Sequence, residues 1–335
     1  MKKIHLLSFF ILLLLGSCSQ KAEKGSSQDN LSVDSVQTVH NQPKEPEPIV
    51  VALEKDLTYD KYTLDDTYPY KDTTREFQWD KIKDHIKVIE TAQREPSSWG
   101  IVQNRKNVNG LAPLARNVKR NEYNNLQDPY GVERYQSIPL YLVNDLEKPE
   151  RYATDGSLIK ILDEDSNFYR AECIYIGDEW MIPKKYVKRI ADSVRHFSKV
   201  VIVDRHNQNT AVLEKIGSTW KIRSMNPATT GVHRPPYQHE TPLGIFVVQE
   251  KKVKMYYLVD GTSNIGGFSP HASRFSNGGY VHGVPVNKPR ESIIEYSQTL
   301  GTIPRSHMCV RNASSHAEFI YNWGPIDQTL IVVIE

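Results

Sequence analysis

Near the C-terminus, Arg305-Ser306-His307-Met308-Cys309-Val310-Arg311 places a cysteine two residues after a histidine and two before an arginine. A second histidine lies upstream in Gly278-Gly279-Tyr280-Val281-His282-Gly283. A thiol attacks a carbonyl only as thiolate, and a general base or nearby positive charge supplies that state. Cys309, His282, His307 and Arg311 are the ingredients of such a site. Taken singly, a buried cysteine is a small hydrophobe and a histidine is a hydrogen-bonded scaffold residue. Gathered in a glycine-rich polar context, they point to nucleophilic catalysis instead. A zinc site fits poorly, because no second cysteine lies at a ligand spacing from Cys309.

Positioning these groups needs a rigid frame, and residues 198–335 read as a β-rich one. Apolar runs at 199–205, 210–214 and 219–224 are strand-like. Asn207-Gln208-Asn209 reads as the turn that sets the first two side by side. Residues 226–231 form a turn-rich loop, and 240–248 run from turn into strand. Gly244 inside that strand pattern implies a bulge or a close backbone approach. Asn312 or Ser314 is placed to cap a helix through Ala317, Phe319, Ile320 and Trp323. Residues 329–334 are a last, buried strand.

Three blocks in this region carry a resemblance. Thr241-Pro242-Leu243-Gly244-Ile245-Phe246, Val281-His282-Gly283 and Ser306-His307-Met308-Cys309-Val310-Arg311 resemble, in order, the motifs of L,D-transpeptidase (YkuD-like) catalytic domains. Members of that family act on bacterial peptidoglycan. The resemblance implies a β-sandwich and a cysteine acyltransferase. Cys309 would form a thioester with a stem peptide and pass it to an amine in cell-wall cross-linking. His282 would be the base, oriented by the main-chain carbonyl of Gly283. Main-chain N–H groups around His307 to Cys309 would face the oxyanion, with Ser306, His307 and Met308 shaping the loop. The possible helix near Asn312 would place its positive end close to the thiolate. Arg311 suits a substrate carboxylate or a structural ion pair. Tyr280 is a cleft-lining candidate, with Tyr256, His271, Arg274 and Phe275 as weaker ones. No cofactor is implied.

Two departures from the family pattern stand out. Met308 occupies a position where the family has glycine, which restricts the backbone beside the nucleophile. The interval from His282 to Ser306 is long, and residues 285–304 read as an inserted flap with a helix at 291–300. Hydrolysis of the same acyl-enzyme, an L,D-carboxypeptidase outcome, remains open. So does a catalytically inactive peptidoglycan-binding protein.

Upstream, the apolar spacing of Trp79, Ile82, Ile86 and Ile89 predicts a helix over 77–90. Residues 103–135 are polar and turn-rich. Short strand signals at 138–142, 157–162, 168–176 and 179–183, closed by Trp180-Met181-Ile182-Pro183 and Tyr186-Val187, loosely resemble a bacterial SH3-like domain. Such a domain binds peptide or wall material, or it serves as a spacer packed on its neighbour.

Met1-Lys2-Lys3, an apolar run at 4–15 and Leu15-Gly16-Ser17-Cys18 have the layout of a secretory signal. The last four resemble a bacterial lipobox with Cys18 lipidated; an ordinary cleaved signal is the alternative. A Ser-, Gln-, Lys-, Glu- and Pro-rich stretch follows, too polar to offset its ordering entropy, and reads as a tether. Of the 3 cysteines, Cys173 lies in a strand pattern and reads as a buried unpaired thiol, although an exported domain could pair it with Cys309. A net charge of +2 over 335 residues supplies no field for nucleic acid.

The expected architecture is therefore mainly β with some α. It comprises a signal peptide (1–17), a disordered tether (18–50), a helical or irregular region (51–136), an SH3-like domain (137–192) and the catalytic domain (198–335). The protein is expected to be a monomer. Its expected place is the periplasmic face of a membrane, the outer membrane first, held by lipid on Cys18 and acting on peptidoglycan stem peptides.

Overall fold

In the computed structural model, residues 47–335 are described; the expected signal segment, Cys18 and the tether as far as residue 46 lie outside them. Ala52–Lys55 forms β1. Trp79–Ala92 forms helix α1, whose Ile82, Ile86 and Ile89 are buried on one face as their spacing requires. Ser98–Val102 (β2), Leu158–Glu164 (β3), Phe168–Cys173 (β4), Gly177–Pro183 (β5) and Val187–Arg189 (β6) follow. They make an antiparallel five-stranded sheet in the order β5-β4-β3-β2-β6. Ile159, Ala171, Trp180 and Ile182 fill its core. Cys173 and Cys309 are both free thiols.

The C-terminal region starts with Lys199–Asp204 (β7), Asn209–Ile216 (β8), Thr219–Pro227 (β9) and Gly244–Val247 (β10). Glu250–Leu258 (β11), Ile265–Ser276 (β12), Gly279–His282 (β13), Val286–Asn287 (β14) and Val310–Arg311 (β15) come next. Helix α2 (Ser314–Trp323) and Thr329–Ile334 (β16) end the chain. One sheet has the order β1-β9-β8-β7-β16-β10; the other runs β11-β12-β13-β15, with β14 also paired to β12.

The first sheet is buried on both faces, so β7 and β16 read as unbroken apolar runs. Val201, Val203, Ile331 and Val333 meet Phe275, Val281 and Val310 of the second sheet, which makes a sandwich. Their neighbours Val200, Ile202, Leu330 and Val332 point the other way, into the cluster that contains the apolar face of α1. The fold is mainly β, as expected.

Two local expectations are corrected. Residues 291–300 form no helix. The carbonyls of Ile294, Glu295 and Thr299 accept hydrogen bonds from Ser314 Oγ, Ser314 N and Thr229 Oγ1, so they are committed to tertiary contacts. Nor does a side chain cap α2, whose cap position is Ala313. Asn312 Oδ1 accepts from Thr210 Oγ1 and meets the His316 ring, while Ser314 Oγ accepts from Val284 N.

Candidate active site

Strand alternation delivers the reactive groups to one place. β13 and β15 run parallel, with Val281 opposite Val310 and His282 opposite Arg311. Val281 and Val310 are sunk in the sandwich core. Successive side chains take opposite faces, so Tyr280, His282, Cys309 and Arg311 all emerge on the outer face of that sheet. His282, Cys309 and Arg311 line a cavity of about 420 Å³ there, with Ser306 and His307. Residues Pro285, Asn287 and Leu300 of the long excursion supply part of its wall.

His282 is buried, and its Nδ1 lies 2.6 Å from the carbonyl oxygen of Gly283. A carbonyl only accepts, so Nδ1 carries the hydrogen of the neutral ring and Nε2 keeps the lone pair. Burial, reinforced by the charge of Arg311 and opposed by the Gly283 hydrogen bond, pulls the pKa down to about 4. The ring is therefore a neutral base at pH 7. Only glycine fits at position 283: a Cβ there would lie 2.7 Å from Ser314 Oγ and 2.8 Å from Pro270.

Cys309 is buried, with its thiol 3.6 Å from the carbonyl of Gly278. Burial pushes the thiol pKa up; the main-chain N–H of Tyr280 and the charges of Arg311 and Arg105 pull against it. The resting pair is thus thiol and neutral imidazole. The first residue of α2 packs on Gly283, beside His282.

The loop before Cys309 is held from several sides. Ser306 Oγ donates to the carbonyl of Cys309. Thr241 Oγ1 accepts from Gly231 N and donates to the carbonyl of Met308, each at 2.8 Å. That bond gives the Thr-Pro block its use, which spacing alone did not disclose. Met308 has φ +95°, in the region that favours glycine. His307 points outward, and its Nε2 lies 2.9 Å from Asp260 at the tip of the β11–β12 hairpin. Tyr257 of the same hairpin donates to Asn287 at 2.6 Å, joining hairpin to excursion across the cleft. Sequence reasoning missed Asp260 and Tyr257, because nothing local marks a hairpin tip that will arch over a distant loop.

Arg311 lines the cavity, and its Nε is buried without a hydrogen-bond partner among the described residues. Burial draws its pKa below the ordinary guanidinium value. Tyr280, expected to line the cleft, packs instead in a cluster with Ala272 and Cys309, its hydroxyl donating to Glu250. Among the weaker candidates, Phe275 is core, Arg274 pairs with Asp155, and Tyr256 is exposed.

Residues 198–334 match the family model described as YkuD, the L,D-transpeptidase catalytic domain. No curated protein matches the chain. Similar solved structures include an L,D-transpeptidase from Mycobacterium smegmatis, 17% identical, covering 53% of this chain and 82% of that one, with a TM-score of 0.34. Another is an L,D-transpeptidase from Mycobacterium tuberculosis H37Rv, 18% identical, with 60% and 77% covered and a TM-score of 0.32. A third is L,D-transpeptidase 3 from Mycobacterium tuberculosis in complex with a faropenem-derived adduct, 21% identical, with 55% and 79% covered and a TM-score of 0.33.

Proposed function

Residues 198–334 being an L,D-transpeptidase catalytic domain, we propose that the protein is a peptidoglycan L,D-transpeptidase with Cys309 as nucleophile and His282 as base. The observation that carries this reading is the shared cavity. It brings Cys309, His282 and Arg311 together, with the imidazole already in the tautomer that accepts a proton at Nε2. The Cys309 thiol gives its proton to Nε2 as sulfur attacks the donor carbonyl. The tetrahedral oxyanion is stabilised by main-chain N–H groups of the 307–309 loop. Collapse breaks the C–N bond, and His282 returns the proton to the leaving amine. An acceptor amine then attacks the thioester carbonyl, giving a proton to His282 as the C–S bond breaks and Cys309 leaves to be reprotonated, and a cross-link forms; water in its place gives the carboxypeptidase outcome. Arg311, with a buried unpartnered Nε, binds a carboxylate of the stem peptide.

We also propose that Cys18 carries lipid and that the tether holds the domain at the periplasmic face of a membrane. Phase partitioning of wild type and Cys18→Ala tests this: a soluble wild type rules out the anchor.

Exposure to a carbapenem followed by intact-mass and peptide analysis tests the enzyme. A covalent adduct on Cys309 is expected. Absence of an adduct, with peptidoglycan still bound, would replace the enzyme by a wall-binding protein whose loop is locked by Met308.

A further inference from the structure

The turn that holds the thiol is gripped from outside the matched domain. Asp155, in the turn after the strand Arg151–Thr154, is fully buried. Its Oδ2 accepts from Arg274 Nη1 at 3.0 Å and from Asn277 N at 2.8 Å. Asn277 immediately precedes Gly278, whose carbonyl faces the Cys309 thiol. Close approach of backbones makes this joint specific. A Cβ on Gly156, at φ +91°, would lie 1.8 Å from the carbonyl oxygen of Phe275.

The other carboxylate oxygen of Asp155 holds a second arm. It accepts from Asn104 N at 2.7 Å and Arg105 N at 3.1 Å. So oriented, Arg105 extends Nη1 to 3.3 Å from Glu250 Oε2 and 3.3 Å from the Tyr280 hydroxyl. Tyr280 clusters with Cys309, and its main-chain N–H faces the sulfur. Two arms from the region before residue 198 therefore reach the residues that flank the thiol: Asp155 holds the N–H of Asn277, next to Gly278, and Arg105 meets the side-chain hydroxyl of Tyr280.

We propose that Arg105, oriented by Asp155, is a positioning residue for Cys309, so that the region preceding the catalytic domain completes the reactive site rather than merely spacing it. This rests on Cys309 being the reactive thiol. The charges that act on the sulfur are those of Arg311, two residues on in β15, and Arg105; Tyr280 and His282 lie on the paired strand β13, and around the Arg105–Tyr280 contact stand Glu250 and Lys252 on β11 and Arg274 on β12. Of these, Arg105 is the cation contributed from outside the domain. It pairs with Glu250, which also accepts from the Tyr280 hydroxyl, and its positive charge favours the thiolate.

The test is the pH–rate profile of Cys309 alkylation by iodoacetamide in the intact protein, read by peptide mass spectrometry. Buried Cys173 serves as internal control. Asp155→Asn leaves Arg274 buried opposite a neutral amide and risks the fold. Arg105 is only half-buried, so Arg105→Gln is the principal variant. Its rate should fall about three- to tenfold near pH 7.5 and converge with wild type at high pH, since losing the cation moves the thiol pKa upward. Arg105→Lys should recover part of the loss. A profile superimposed on wild type, or one lowered equally at every pH, overturns the inference. Alkylation needs no wall substrate, so a shifted profile without any carbapenem adduct would retire the proposed function and leave this inference standing.

Discussion

The end of β13 and the loop at 306–308 both present a histidine to the neighbourhood of Cys309, in contrasting environments. His282 is buried, fixed at Nδ1 by Gly283 and held neutral. His307 is exposed and paired with Asp260 on a hairpin tip. A general base must be neutral, oriented and shielded from bulk water, and only the strand end supplies all three. The loop supplies an exposed ion-pair contact and a backbone at positive φ. The difference teaches that closeness in sequence and closeness in environment are separate: His307 is two residues from Cys309, whereas His282 is brought to the same cavity through a parallel strand pair.

Removing the group both histidines would serve has the largest effect. Cys309→Ala should abolish carbapenem adduct formation while stability changes by no more than about 1 kcal/mol, since one sulfur leaves a small buried site. An adduct persisting in that variant would place the nucleophile elsewhere, and peptide mapping would find it.

Acid should separate the strand end from the loop. Folded His282 and His316 have pKa values of about 4 and about 3, both lowered chiefly by burial from 6.5. Between pH 6.5 and those values the unfolded chain binds protons that the folded chain does not. Stability is therefore lost as pH falls through that window, at about 1.4 kcal/mol per unit of displacement for each histidine. Melting temperature should drop steeply from pH 6.5 to 4, and less steeply in His282→Ala. A wild-type melting temperature flat across that range would refute the burial argument.

On the loop side, Met308→Gly should relieve a φ that costs about 1–3 kcal/mol in a side-chain-bearing residue, offset by about 0.5–1 kcal/mol of glycine entropy. Thermal unfolding should show unchanged or slightly raised stability. A large loss would mean that the Met308 side chain, which packs toward Gly279, anchors the loop.

The smallest effect is expected at the His307 partner. Asp260→Ala breaks a pair whose side chains are 43% and 44% exposed, so stability should change by less than about 1 kcal/mol. Acylation by a small carbapenem should be nearly unaffected. A large rate loss would give the loop histidine a role beyond shaping the cleft mouth.

How much of this was legible in the sequence follows from range. The helix around Ile82, Ile86 and Ile89 was written in local spacing, and so were the strands whose apolar runs face two buried layers. That Cys309 and His282 share one cavity, and that Gly283 O meets the imidazole, was anticipated from the local motifs around them. What stayed hidden is long-range. β1 pairs in parallel with β9, far along the chain, without any local mark. Nothing around Asp155 or Arg105 announces that they will meet Asn277 and Glu250. Residues 291–300 looked helical by pattern, yet their carbonyls are taken by Ser314 and Thr229. Tertiary hydrogen bonds overrode local preference there.

The central claim is that the buried strand-end histidine is the base, and the pH–rate profile of carbapenem acylation in His282→Ala and His307→Ala tests it most directly. At neutral pH, His282→Ala should slow acylation by about 10²–10⁴, with the rate recovering as pH rises and the thiol ionises unaided. His307→Ala should show a smaller loss that high pH does not relieve. The opposite pattern, rescue of His307→Ala at high pH and none for His282→Ala, would contradict the assignment.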